Sequence, residues 1–300
     1  MKFVPLLRVV LWSFSLCEAQ GTHDLVYRSY QEVIIPMRDG VRLQTVIITP
    51  KEQKGSLPII LRRSPYGVPP REAIEQGVPA SRRALTERYI IVAQNLRGRF
   101  KSEGKFVMQR PPHDPADTKG IDETTDAWDT VEWLIHNVPN NNGRVGVEGT
   151  SYDAWTAVMA SLDPHPAVKA IVEQASPADM FLGYDFHHDG AFRLSYGFEY
   201  AALLETSGEE NFHFKFDRAD TYEWYLSLGA LTNADEQYFH GKIPTWRDFV
   251  EHPDSDRFWQ RQTLINYIKD VKVPILHVAG WVGPGRFLRS AEDIRSHGKV

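Results

Sequence analysis

The sequence predicts an α/β fold, a largely parallel sheet with helices packed on it, and three observations predict it. Apolar runs of strand length, "LPIILRRS", "RYIIVAQN", "RVGVEG" and "AVKAIVEQ", recur between Leu57 and Gln174. Segments with helical apolar spacing separate several of them, the alternation that builds parallel strands. At one junction, "GVEGTSYDAWTAVMAS", a strand passes through a sharp turn into a helix, and a serine stands at the turn.

Each element follows in order. Residues 1–20 combine Lys2 and Arg8, an apolar core from Val9 to Leu16, and small residues before a cleavage near Ala19 or Gln20. This is the pattern of a secretory signal, a buried strand or helix being the alternative. The apolar run is too short to span a bilayer, and no later segment is long enough. The mature protein is therefore expected to be secreted, extracellular or periplasmic, with no membrane association. The single cysteine, Cys17, falls inside the signal, so disulfides and cysteine-based zinc are not expected. A formal net charge of -5 gives no basic face for nucleic acid.

"QEVIIPMRDGVRLQTVIITP" reads as two strands joined at Asp39-Gly40. "LPIILRRSPYG" and "RYIIVAQNLRGRF" read as buried parallel strands, connected by the partly helical, polar "VPPREAIEQGVPASRRALTER". "TTDAWDTVEWLIHNV" is a helix, with Asp126 as its cap, Trp128, Val131, Leu134, Ile135 and Val138 on one side, and "NNNG" as its stop. After Ser151, the residues Trp155, Val158, Met159 and Leu162 repeat at helical spacing, and "AVKAIVEQAS" returns as a strand. From about Met180 to Asp270 the chain is rich in aromatics and histidine without a strand of convincing length. It reads as a helical cap inserted into the sheet, after which "VKVPILHVAGW" restores a buried strand. The predicted division is signal 1–20, first part of the core 21–178, cap 179–270 and the end of the core 271–300.

A serine between a strand and a helix is presented to solvent only if the turn is tight. Small residues must then surround it, while the N-terminal N–H groups of the helix face an anion developing beside it. Gly149 lies two residues before Ser151, but Asp153 stands two after it, where glycine is usual, and Ala154 follows. On the pentapeptide alone, a nucleophile and an ordinary helix N-cap serine both fit.

The longer run "GTSYDAWTAVMASLDPHPAVKAIVEQASPADMFLGYDFHHDGAFR" resembles the Gly-x-Ser-Tyr-x-Gly elbow of the cocaine-esterase-like hydrolases, within the X-Pro dipeptidyl-peptidase (S15-type) superfamily. It is most similar to the α-amino-acid ester hydrolases and β-lactam acylases. "RRSPYG", "NLRGRFKSEGKF", "DETTDAWDTVEWLIHN" and "FWQRQTLINYIKDVKVPILHVAGW" extend the resemblance over nearly the whole mature chain. It implies an α/β-hydrolase core with a helical cap, the family's C-terminal jelly-roll domain being absent. Carried over, Ser151 matches the nucleophile. Tyr152 matches the residue whose backbone N–H is one oxyanion donor, and Tyr66 the tyrosine whose phenol is the other. Asp185 matches one of the carboxylates that hold a substrate α-ammonium. No cofactor is implied, and no metal is read from His187, His188 and Asp189, whose side chains would diverge on a helix.

The sequence also departs from the family. The catalytic acid's position falls at Gly283, and two further substrate carboxylates would fall near Gly285 and Arg286. The family's histidine follows a later strand, past Val300. Among the histidines present, His277 reads as lying within a strand, His136 on an earlier helix, and His297 near the right end of the core. Asp293 or Asp179 are the available substitute acids. Divergence of the tail just where the acid belongs is what a truncated or mis-spliced end would give. The function expected is a secreted serine hydrolase of small acyl esters or amides acting through an acyl-enzyme on Ser151, with acid and histidine missing from the matching positions. The alternatives are a degenerate hydrolase fold that binds a small molecule without cleaving it, and a peptidase acting after proline, for which no dedicated motif is present.

Overall fold

The computed structural model describes residues 28–50, 53–75, 87–114, 116–183 and 186–279. The expected signal, Asp185, Gly283, Gly285, Arg286, Asp293 and His297 lie outside the described residues. Among the described residues no helix is long and apolar enough to cross a membrane.

The main sheet comprises β1 (Arg28–Pro36), β2 (Arg42–Pro50), β3 (Leu57–Ser64), β4 (Ile90–Asn95), β5 (Asn141–Thr150), β6 (Val168–Gln174) and, late in the chain, β9 (Ile275–Val278), in the order β1-β2-β4-β3-β5-β6-β9. β1 and β2 form the hairpin expected at Asp39-Gly40, where the Met37 N–H donates to the Val41 carbonyl at 2.8 Å and Gly40 adopts φ 85°. β2 joins β4 antiparallel, and from β4 through β3, β5, β6 and β9 the pairing is parallel.

Two helices hold the strands. α2 (Glu123–Asn137) follows the short α1 (Arg71–Glu75), and α3 (Tyr152–Leu162) follows the Ser151 turn. The cap of α2 is Asp122, not Asp126. Asp122 accepts from the Thr125 N–H at 2.9 Å while Thr125 Oγ1 accepts from the Asp122 N–H at 3.0 Å, a reciprocal pair that starts the helix one turn earlier than its apolar pattern. Asp126 instead takes two bonds of 2.6 Å from the Arg97 guanidinium. Arg97 also reaches Asp39 in the hairpin turn, and fully buried Arg63 pairs with Glu123 at 2.9 Å. Buried ions are costly unless paired; this cluster pairs them across β3, the hairpin and α2. The helix ends at Asn137, before "NNNG", because Val138 precedes a proline and adopts extended backbone. Asn141 to Gly143 open β5.

The packing divides at α3, whose residues from Tyr152 to Ser161 are all buried. Ala157 and Ala160 face the sheet core of Ile59, Leu61, Val92, Val147 and Ile171. Tyr152, Trp155, Val158 and Met159 face a second core made with α4 (Leu194–Glu205), α5 (Thr221–Leu228), α6 (Pro244–Glu251) and α7 (Arg257–Gln262). Phe198, Trp224, Trp246 and Trp259 fill it, with most ring pairs meeting edge-on or tilted. His187 and His188 are not helical. They form β7, paired with β8 (Ala191–Phe192) across the Asp189-Gly190 turn. His187 is buried against Phe181 and Trp259, and its Nδ1 meets the Met180 carbonyl. β9 is less buried than its apolar sequence predicts, because it has a single neighbour in the described sheet: Leu276 is 60% exposed.

Candidate active site

Ser151 follows β5 with φ 60° and ψ -123°, a backbone conformation that costs about 1–3 kcal/mol for a residue with a Cβ. Three bonds hold it there. Its N–H donates to the Gln174 carbonyl on β6 at 2.9 Å, and its own carbonyl accepts from Ala154 and Trp155 at 3.0 and 3.1 Å. The turn is tight enough to require glycine two residues earlier. A Cβ on Gly149 would stand 2.2 Å from the Asp153 carbonyl carbon and oxygen. The Ser151 side chain makes no capping bond to α3, so the serine does not serve its helix as an N-cap does. Among the described residues its hydroxyl has no hydrogen-bond partner.

Asp153, where glycine is usual, has a buried side chain. Burial pushes its carboxyl up to about 7, opposed by a hydrogen bond with Ser64 and by nearby Arg62. Tyr152 is 1% exposed. Its phenol, pushed up by burial, accepts from the Gln109 N–H at 2.7 Å. Gln109 itself has φ 45°.

Tyr66 arrives on the loop after β3 and is held at several points. Its N–H donates to Ser64 Oγ at 3.1 Å, its carbonyl accepts from Asn211 Nδ2 at 2.9 Å, and its phenol shares a 2.5 Å hydrogen bond with Tyr200 of α4. Arg99 buttresses Asn211, donating to its Oδ1 at 2.7 Å and to the Leu204 and Ser207 carbonyls. The ring of Tyr66 lies edge-on to Tyr152, centroids 6.4 Å apart. The fold thus brings Tyr66 beside the Ser151–Tyr152 turn, though it is far from both in sequence.

The carboxylates and histidines divide differently. Asp179 accepts from the Phe181 and Leu182 N–H groups and so closes the turn that follows it. His136 is on the exposed side of α2 and bonds the Glu132 carbonyl. His277 stands on β9, and its Nδ1 pairs with Glu173, a carboxylate buried on β6 in register with Gly149. This acid–histidine pair lies at the strand ends beside the Ser151 turn. The sequence hides it because its halves come from separate runs, "EQAS" and "LHVAG", and Glu173 shares its strand with a second charged residue, Lys169.

The sequence pattern of the X-Pro dipeptidyl-peptidase (S15) family matches residues 39–288. The chain is 29% identical over 265 residues to the cocaine esterase of Rhodococcus sp. (strain MB1 Bresler), covering 85% of this chain and 44% of that protein. It superposes on an aminopeptidase from a marine sediment archaeon, Thaumarchaeota archaeon, with TM-score 0.83 and 34% identity, covering 93% of this chain and 48% of that one. An α-amino acid ester hydrolase gives TM-score 0.79 and 31% identity over 96% of this chain and 50% of that one. The chain spans half the length, or less, of each of these relatives.

Proposed function

Because the chain belongs to the X-Pro dipeptidyl-peptidase (S15) family, we propose that it is a serine hydrolase in which Ser151 Oγ attacks the carbonyl of a small acyl ester or amide and forms an acyl-enzyme. The observation that carries this reading is the turn itself. Ser151 is held in a strained conformation, off-duty as a cap, over a glycine that the approach of Asp153 makes obligatory. In this reading the Tyr152 N–H at the start of α3 and the Tyr66 phenol donate to the tetrahedral oxyanion. They are fixed before charge develops there, so they cost little reorganisation in the transition state. Asp185 would hold an α-ammonium of the substrate. Esterase and aminopeptidase relatives support an ester or amide as substrate class.

A second reading is favoured by one observation: Ser151 Oγ has no proton acceptor among the described residues. On it, the protein binds such a molecule without cleaving it. Intact mass after exposure to a fluorophosphonate, with Ser151→Ala beside the wild type, separates the two. A stoichiometric adduct on Ser151 that Ser151→Ala lacks supports hydrolysis, and a folded wild type that stays unlabelled refutes it. Residues 1–20 are proposed to direct export. Protein recovered outside the cytoplasm and starting after Ala19 or Gln20 supports this; a mature chain retaining Met1 refutes it.

A further inference from the structure

We infer that Tyr200, on cap helix α4, is a positioning residue that donates its phenolic proton to Tyr66 Oη and so directs the Tyr66 proton toward the oxyanion. The inference rests on Ser151 being the nucleophile. It starts from a counting argument. Two phenols joined by one hydrogen bond have one donor and one acceptor between them. Tyr66 and Tyr200 are joined at 2.5 Å. If Tyr66 were the donor, its proton would be spent on Tyr200. For Tyr66 to donate to an anion formed on the substrate, Tyr200 must be the donor in the pair, and accepting that bond polarises the Tyr66 O–H and strengthens the one it donates.

Both rings are fixed for this. Tyr66 is anchored by Ser64 at its N–H and by Asn211 at its carbonyl. Tyr200, 9% exposed, is stacked on Tyr196 with centroids 5.3 Å apart and meets Phe186 at 5.7 Å. Neither phenol oxygen needs to move for the bond to form. The consequence is mechanistic: one half of the oxyanion hole is oriented by the cap and not by the sheet. Seating α4 on the core, which the bonds from Arg99 to the Leu204 and Ser207 carbonyls enforce, becomes a condition for stabilising the transition state.

The test is the rate of fluorophosphonate labelling at Ser151 in the full chain, for Tyr66→Phe, Tyr200→Phe and the double variant, with thermal melts to verify folding. Tyr66→Phe removes an oxyanion donor and is expected to slow labelling about 10²-fold. Tyr200→Phe keeps the ring packing and is expected to slow it about five- to tenfold, the worth of one buried hydrogen bond. In the Tyr66→Phe background Tyr200→Phe is expected to have no further effect, which a merely structural role would not produce. Tyr225→Phe removes a cap phenol bonded to Glu199 and is expected to leave the rate unchanged. Substituting 3-fluorotyrosine for Tyr200, a stronger donor and weaker acceptor, is expected to raise the rate. Additive single effects, or a rate lowered by the fluorinated ring, overturn the inference while leaving Ser151 as nucleophile. A folded wild type that does not label overturns both.

Discussion

Replacing Gly149 by alanine tests the elbow at its tightest point. The added Cβ would lie 2.2 Å from the Asp153 carbonyl carbon and oxygen and 2.6 Å from the Ala154 nitrogen, whereas ordinary contact begins at 3.4 Å. All of these are backbone atoms, so no side-chain rotation relieves the clash. The first turn of α3 has to retreat by about 1 Å, the difference between the two distances, and α3 is buried along its length between sheet and cap. Overpacking of this kind costs about 1–3 kcal/mol. In a domain of this size each kcal/mol lowers the melting temperature by about 2–4 °C. A displacement of about 1 Å at a nucleophile and its oxyanion donor lowers rate about 10²-fold. The assays are thermal unfolding and the rate of fluorophosphonate labelling of Ser151. Gly143→Ala, on the same strand with nothing within 4 Å but φ 71°, is the control; it carries about 1–2 kcal/mol of backbone strain and should label at the wild-type rate. A Gly149→Ala protein that melts and labels as the wild type does would refute the steric argument.

Two further outcomes follow from the same site. Ser151→Gly removes the Cβ from a strained conformation and should stabilise the fold by about 1 kcal/mol while abolishing labelling; a lower melting temperature would show that the turn is not strained. The Asp153 carboxyl, pushed up to about 7 in the fold by burial, titrates near 4 when unfolded. Between those pH values the unfolded chain has released a proton that the folded chain retains, so this group lowers stability as pH rises from about 4 to about 7, with no further change above. Asp153→Asn should remove that fall, at most about 4 kcal/mol at 1.36 kcal/mol per unit. Denaturant unfolding of both proteins across the window checks it, and parallel pH profiles would contradict the assignment.

The sequence by itself determined what depends on near neighbours. The Asp39-Gly40 hairpin, the strand-to-helix turn at Ser151 and the apolar faces of α2 and α3 are set by backbone preference and side-chain period over a few residues, and they stand in the fold as the sequence predicts. The cap of α2 is not decided locally, because Asp122 and Asp126 are equally good candidates by residue type. The choice is made by Arg97 and Arg63, buried cations distant in sequence that pair with Asp126. The two-residue hairpin at His187 is likewise invisible to periodicity, since its histidine is buried in part by Trp259, which arrives from far along the chain.

Only the tertiary structure decided the company each candidate keeps. A glycine requirement at position 149 is legible as a motif, but the 2.2 Å approach that enforces it exists only once α3 is docked. Nothing in "SPYG" says that Tyr66 meets a phenol from the cap, and nothing in "LHVAG" says that His277 pairs with Glu173. Hydrogen bonds between side chains are short-ranged and directional, so their partners are fixed by where separate elements pack. That packing is a property of the whole hydrophobic core, which no local stretch of residues encodes.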